Sequence, residues 1–102
     1  MSLVATYMKD SATRVRESGR DQWGEPTGTA STTLDCVQRM VRRMVRDRTG
    51  NLVESSGHLL LKATDEPQYE DRYQVDGVDY VVVKIVTRRT WGVTDHYEVY
   101  LA

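Results

Sequence analysis

Five arginines, Arg39, Arg42, Arg43, Arg46 and Arg48, fall within ten residues and meet one carboxylate there, Asp47. Guanidinium forks match phosphate and carboxylate oxygens. The cluster therefore has three readings. It could contact phosphates in a DNA channel. It could pair with the acidic stretch Asp65, Glu66, Glu70, Asp71, Asp76 and Asp79 on another copy, since heterologous contacts join unlike patches and complementary charge sets their register. Or it is a solvated strand face.

Other reactive residue types are sparse. Ser55, Ser56 and His58 with scattered aspartates make a triad only on paper, because no nucleophile-elbow or oxyanion sequence accompanies them. His58 and His96 stand far apart, without the three or four ligands that zinc needs. Each is expected on a strand face with a hydrogen-bond partner. No phosphate-cradling glycine loop occurs. The single Cys36 forms no internal disulfide and reads as a small buried hydrophobe in a reducing compartment. No catalytic residue, metal or cofactor is expected, and the chain reads as a protein that binds or assembles.

The chain has 102 residues, which suits one domain. Its 14 basic and 15 acidic residues leave a net charge of −1, which argues against a dedicated nucleic-acid binder. Phe is absent against six Tyr and two Trp, a choice suited to half-exposed strands and interfaces. No apolar run reaches membrane-spanning length, and the N-terminus lacks the pattern of a signal peptide.

The clearest element signals lie near the C-terminus. Asp76-Gly77 suits a two-residue hairpin turn between the strands Asp71–Val75 and Val78–Ile85, and after a polar insert His96–Leu101 forms a closing strand. Leu3–Tyr7 reads as a first strand. The polar stretch from about 9 to 32 reads as a long loop or a frayed strand pair, with Trp23 as its large apolar anchor. Leu34–Arg48 is ambiguous. Val37, Met40, Val41, Met44 and Val45 follow helical spacing, with Thr32 or Thr33 to cap the start and Gly50 the end. The turn signal Thr49-Gly50-Asn51 instead favours a hairpin, irregular at Gly57, that runs on into His58–Ala63. Thr64–Glu70 is an acidic connection.

Three patches in this order, Asp21–Thr27, Val45–Gly57 and Asp71–Tyr80 with His96–Leu101, resemble the head–tail connector proteins of tailed phages known as stoppers, or head-closure or minor capsid proteins. The resemblance covers the chain from about residue 6 onward. It implies a β-barrel subunit in a ring at the virion neck, made in the cytoplasm of a bacterial host. Such a ring sits below the portal and adaptor, helps retain packaged DNA, and docks the tail through a tail-completion protein. It also implies extended chain over Leu34–Arg48.

The expected fold is thus all-β: one small antiparallel barrel or sandwich of five to seven strands with a long N-terminal loop. Its core should draw on Leu34, Leu59, Leu61, Val75, Val78, Tyr80, Val82, Ile85, Val99 and Leu101. The Arg cluster and Asp65, Glu66, Glu70 and Asp71 are subunit-interface or channel candidates. Trp23, Asp47, Gly50 and Asn51 are loop and docking candidates, on segments that could obstruct the bore or touch adjacent rings. The alternative function is a barrel that binds single-stranded nucleic acid, which would need aromatics beside the arginines for base stacking.

Overall fold

The computed structural model describes residues 9–20, 23 and 26–102. Eight strands follow one another: β1 Asp10–Arg20, β2 Pro26–Arg39, β3 Arg43–Arg46, β4 Leu52–Ser55, β5 Gly57–Lys62, β6 Arg72–Val75, β7 Val78–Thr90 and β8 Val93–Leu101. Six of them close an antiparallel barrel in the order β1-β2-β5-β8-β7-β6. The other two, β3 and β4, pair only with each other in a hairpin outside the barrel. The fold is therefore an all-β small barrel, and no helix occurs among the described residues.

Alternation builds the interior. Leu34 and Cys36 on β2, Leu59 and Leu61 on β5, Tyr73 and Val75 on β6, and Val99 and Leu101 on β8 point inward and are buried. Their neighbours Asp35, Arg39, Lys62, Arg72 and Gln74 point out, as a period of two requires. Tyr80 and Ile85 pack against this core while remaining partly exposed. Val78 is half-exposed, contrary to expectation. It pairs with Val75 but sits at the barrel rim, directly after the turn, where nothing covers it.

The Asp76-Gly77 turn forms as expected, with φ of 52° and 81° at its two central residues. Paired positive φ values fit a turn whose twist matches the flanking strands. Of the two readings of the stretch from 9 to 32, a long loop or a strand pair, the structure shows the strand pair. Its described residues belong mainly to β1 and β2, registered from Asp10 opposite Cys36 to Arg20 opposite Pro26, with bulges near Gly19. Low apolar content hid these strands, because β-branched Thr and Val on the outer face carry them instead. The expected strand Leu3–Tyr7 lies outside the described residues.

Leu34–Arg48 is extended rather than helical, but in two pieces, broken at residues 40–42. The apparent helical spacing combines strand β2 with the hairpin that follows it. Gly57 marks the junction where β4 gives way to β5. A Cβ there would meet the Met40 Cα at 2.6 Å and the Arg39 carbonyl oxygen at 2.9 Å, so only glycine lets the two chains pass so closely.

The polar insert before His96 is no loop. It continues β7 and β8 into a long arm turned by Trp91-Gly92. Antiparallel order places this arm at the same barrel end as the β1–β2 arm. The connection 63–71 runs across that end from β5 to β6.

Candidate functional site

The β3–β4 hairpin carries most of the arginine cluster. Val45 and Ser55 are buried on its barrel side, where the Ser55 hydroxyl shares its one proton between the carbonyl oxygens of Gly57 and Leu101, both at 2.9 Å. Its outer side leaves Met44 and Leu52 more than half exposed, beside exposed Val41. The tip is locked from within. Asp47 Oδ1 accepts from the Thr49 amide at 2.9 Å, the Thr49 hydroxyl at 2.7 Å and the Asn51 amide at 2.9 Å, while Gly50 adopts φ of 88°. These bonds, led by that of Thr49, hold the Asp47 carboxyl below its ordinary pKa. Asp47, Gly50 and Asn51 thus shape a stiff projection.

The arginines divide their tasks. Arg46 donates to the Gly50 carbonyl at 2.9 Å, Arg42 lies 3.7 Å from Glu54 across the hairpin, and Arg48 sits over the Tyr69 ring at 4.8 Å. With Asp47, Thr49, Val82 and Val83, Arg48 and Tyr69 line a shallow pocket between hairpin tip and barrel. Arg39 and Arg43 have no ion-pair partner among the described residues, and both bear electrostatically on His58.

His58 anchors a row across the outer wall of the barrel. Arg39 pairs in register with His58, His58 with Tyr100, and Tyr100 with Lys84. The His58 and Tyr100 rings stack with centroids 4.9 Å apart, and the Lys84 ammonium lies 5.9 Å from the Tyr100 ring. The expected hydrogen-bond partner of His58 does not materialise, since its Nδ1 is buried with none. Burial, chiefly, and the two arginines lower its pKa and favour the neutral imidazole. His96 does have a partner, Asp95 Oδ2 at 2.6 Å. Below the row, Glu98 takes two bonds of 3.2 Å from Arg88. Burial works against the Glu98 charge, but Arg88 outweighs it and the carboxyl pKa falls.

The acidic candidates also separate. Asp65, Glu66 and Glu70 lie on the 63–71 connection with solvent access. Asp71 does not, and its place in an exposed interface patch is corrected by its burial, with 1% of its surface accessible. Arg16 grips both carboxylate oxygens, at 2.6 and 2.7 Å, and the Gln68 amide donates to Oδ2 at 2.9 Å. Asp71 is a strut beneath the connection.

Both tryptophans stand at projecting positions, Trp23 77% and Trp91 97% exposed. Trp91 has the further peculiarity of φ at 55°, a left-handed conformation that Asn or Gly adopts far more readily. Such an outlier at a fully exposed aromatic suggests selection for contact rather than for folding. Sequence reasoning missed Trp91 inside its polar insert, although Trp-Gly between strand-like runs was a usable turn signal.

No protein-family model matches this sequence, and no curated protein does. The reading of the site therefore rests on its geometry and on the residue pattern.

Proposed function

We propose that the chain is a structural connector subunit of the stopper type, assembling with copies of itself into a ring at the head–tail junction of a tailed phage or prophage. The observation that carries this reading is the β3–β4 hairpin. The barrel strands close on one another, so contacts between subunits run through wall side chains or through projections that keep unpaired outer edges. This hairpin is such a projection, stiffened at its tip and exposing Val41, Met44 and Leu52 among arginines. Exposed apolar side chains on a stiff polar-rimmed element are what a docking surface needs. The Trp91 arm at the other barrel end supplies a second projection, suited to an adjacent ring.

In this reading one end of each barrel faces the adaptor or portal side and the other faces the tail-completion protein, with packaged DNA held in the bore. The arms and the hairpin are the parts that reach across. The same geometry supports the ring over single-stranded nucleic-acid binding. The aromatics nearest the hairpin arginines are already in contact, Tyr69 with Arg48 and Tyr100 with His58 and Lys84, and the exposed Trp91 stands at the other barrel end from that cluster.

The test is genetic. Particles assembled without this chain should lose DNA after packaging or fail to acquire tails, and supplying the chain in trans should restore both. Filled, tailed, infectious particles in its absence would reject the reading.

A further inference from the structure

We infer that the outer wall formed by Arg39, His58, Tyr100 and Lys84 receives the Asp76–Val81 edge of a second copy of this chain, in a repeating head-to-tail contact. The inference rests on the ring reading and names the two faces that build it.

The first argument is placement. In the six-strand order, β6 lies diametrically opposite β5, so the Asp76-Gly77 turn that ends β6 stands on the far side of the barrel from His58. Strand register followed both ways around the barrel sets that turn at about the level of Gly57–His58. Two faces on opposite walls at one level can join copy to copy about an axis alongside the barrel. Repetition of that unlike contact closes a ring when the rotation divides a full turn.

The second argument is charge. On the receiving wall, Arg39, Arg43 and Lys84 have no ion-pair partner among the described residues, while the nearby Glu98 is held by Arg88. On the opposite edge Asp76 and Asp79 are exposed and likewise unpaired among the described residues, and exposed Arg72 sits in register beside Val81. The uncommitted charges on the first wall are thus cationic, while those on the opposite edge are two carboxylates against one guanidinium. Complementary faces of this kind steer association and suppress self-pairing of like patches.

The third argument is the unfinished chemistry of each face. His58 is 8% exposed yet its Nδ1 has no partner, so the wall holds an orphaned polar group beside its cations. Leu60, 8% exposed, and Val37 beside it in register give the wall a small apolar patch, and Glu98 separates them from Val86 on the next strand. The docking edge offers Val81, 52% exposed, next to its two aspartates. A carboxylate from that edge reaching the row would meet the Arg39 and Lys84 cations at its two ends, with the stacked His58 and Tyr100 rings between them.

The test uses the full chain with cysteines introduced as Gln74→Cys, beside Asp79, and Val86→Cys, near Lys84, which leave the facing charges in place, joined by a short bis-maleimide. Cys36 is buried, its thiol pKa pushed up to about 12 chiefly by that burial, and does not compete. The double variant should give a ladder of covalent multimers, and each single variant should stay monomeric. In parallel, Arg39→Glu with Lys84→Glu, and Asp76→Lys with Asp79→Lys, should each abolish association in sedimentation, and an equimolar mixture of the two should restore it. No ladder, dimers from a single variant, or a short oligonucleotide bound at Arg39 and Lys84 in place of a ladder would each overturn the inference. A neck ring in particles without the ladder would sink only this interface. A ladder without a neck ring would keep the interface and sink the connector reading.

Discussion

Arg16 on β1 and Asp71, 55 residues away at the start of β6, form a two-pronged ion pair with an Nε–Oδ1 distance of 2.6 Å and an Nη2–Oδ2 distance of 2.7 Å. Arg16 also donates to the Glu66 carbonyl at 3.0 Å, so one guanidinium ties the 63–71 connection across the barrel end. The Asp71 side chain is wholly buried, so removing Arg16 strands a carboxylate. Arg16→Ala should cost about 3 kcal/mol, in the range for breaking buried pairs. Asp71→Asn, which keeps shape and some hydrogen bonding, should cost less. Urea unfolding of the two variants measures the difference, and equal, negligible losses would show that the strut carries no stability.

Gly57 makes a second prediction. Gly57→Ala would drive a methyl into the backbone of Met40 and Arg39, neither of which can swing aside as a flexible side chain would. Overpacking of this kind costs about 1–3 kcal/mol. Thermal melts should show the loss, accompanied by altered amide shifts at Met40 and Ser55 where the hairpin joins the barrel.

His58 should make stability fall on mild acidification. In the unfolded chain it protonates near its ordinary value of 6.5, but in the fold burial first, then Arg43 and Arg39, push that value lower. The unfolded state therefore binds the proton first. The stability His58 contributes is fully present above 6.5 and is lost as pH falls through its depressed native pKa. His58→Phe keeps a ring against Tyr100 and removes the titration, so its stability should stay flatter across that window. Glu98, also depressed, gives way only at lower pH, below the ordinary carboxylate value of 4.5.

Trp91 should show opposite effects on folding and docking. Trp91→Asn removes a side chain that is almost wholly exposed and relieves a left-handed backbone. It should raise stability by about 0.5–1 kcal/mol. In particles it should weaken attachment of whatever meets that arm, read as a loss of tailed virions. Unchanged assembly would remove Trp91 from the docking surface.

Where one face met the core, the sequence was readable. Leu59, Leu61, Val99 and Leu101 alternate cleanly, and Asp76-Gly77 announces its turn. The two long arms were not, because their outer faces are Ser, Thr and Arg and no buried stripe marks them. Val37–Val45 looked helical because a strand, a three-residue break and a hairpin strand happened to space their apolar residues by threes and fours. The arginine cluster was visible in composition, but its division was not. Which arginines lock their own hairpin and which stay free depends on strand register, as does the wall that joins Arg39 to Lys84 across 45 residues. Asp71 reads as one more exposed acid because its partner, Arg16, is 55 residues away on a strand with no clear apolar alternation.

The most direct measurement is a cryo-electron microscopy reconstruction of the virion neck. The account predicts a closed ring of six-stranded barrels at the head–tail junction. In it the Arg39–Lys84 wall of each copy faces the Asp76–Val81 edge of the next, and the Trp91 arms point toward an adjacent ring. A neck fully accounted for by other chains would contradict it.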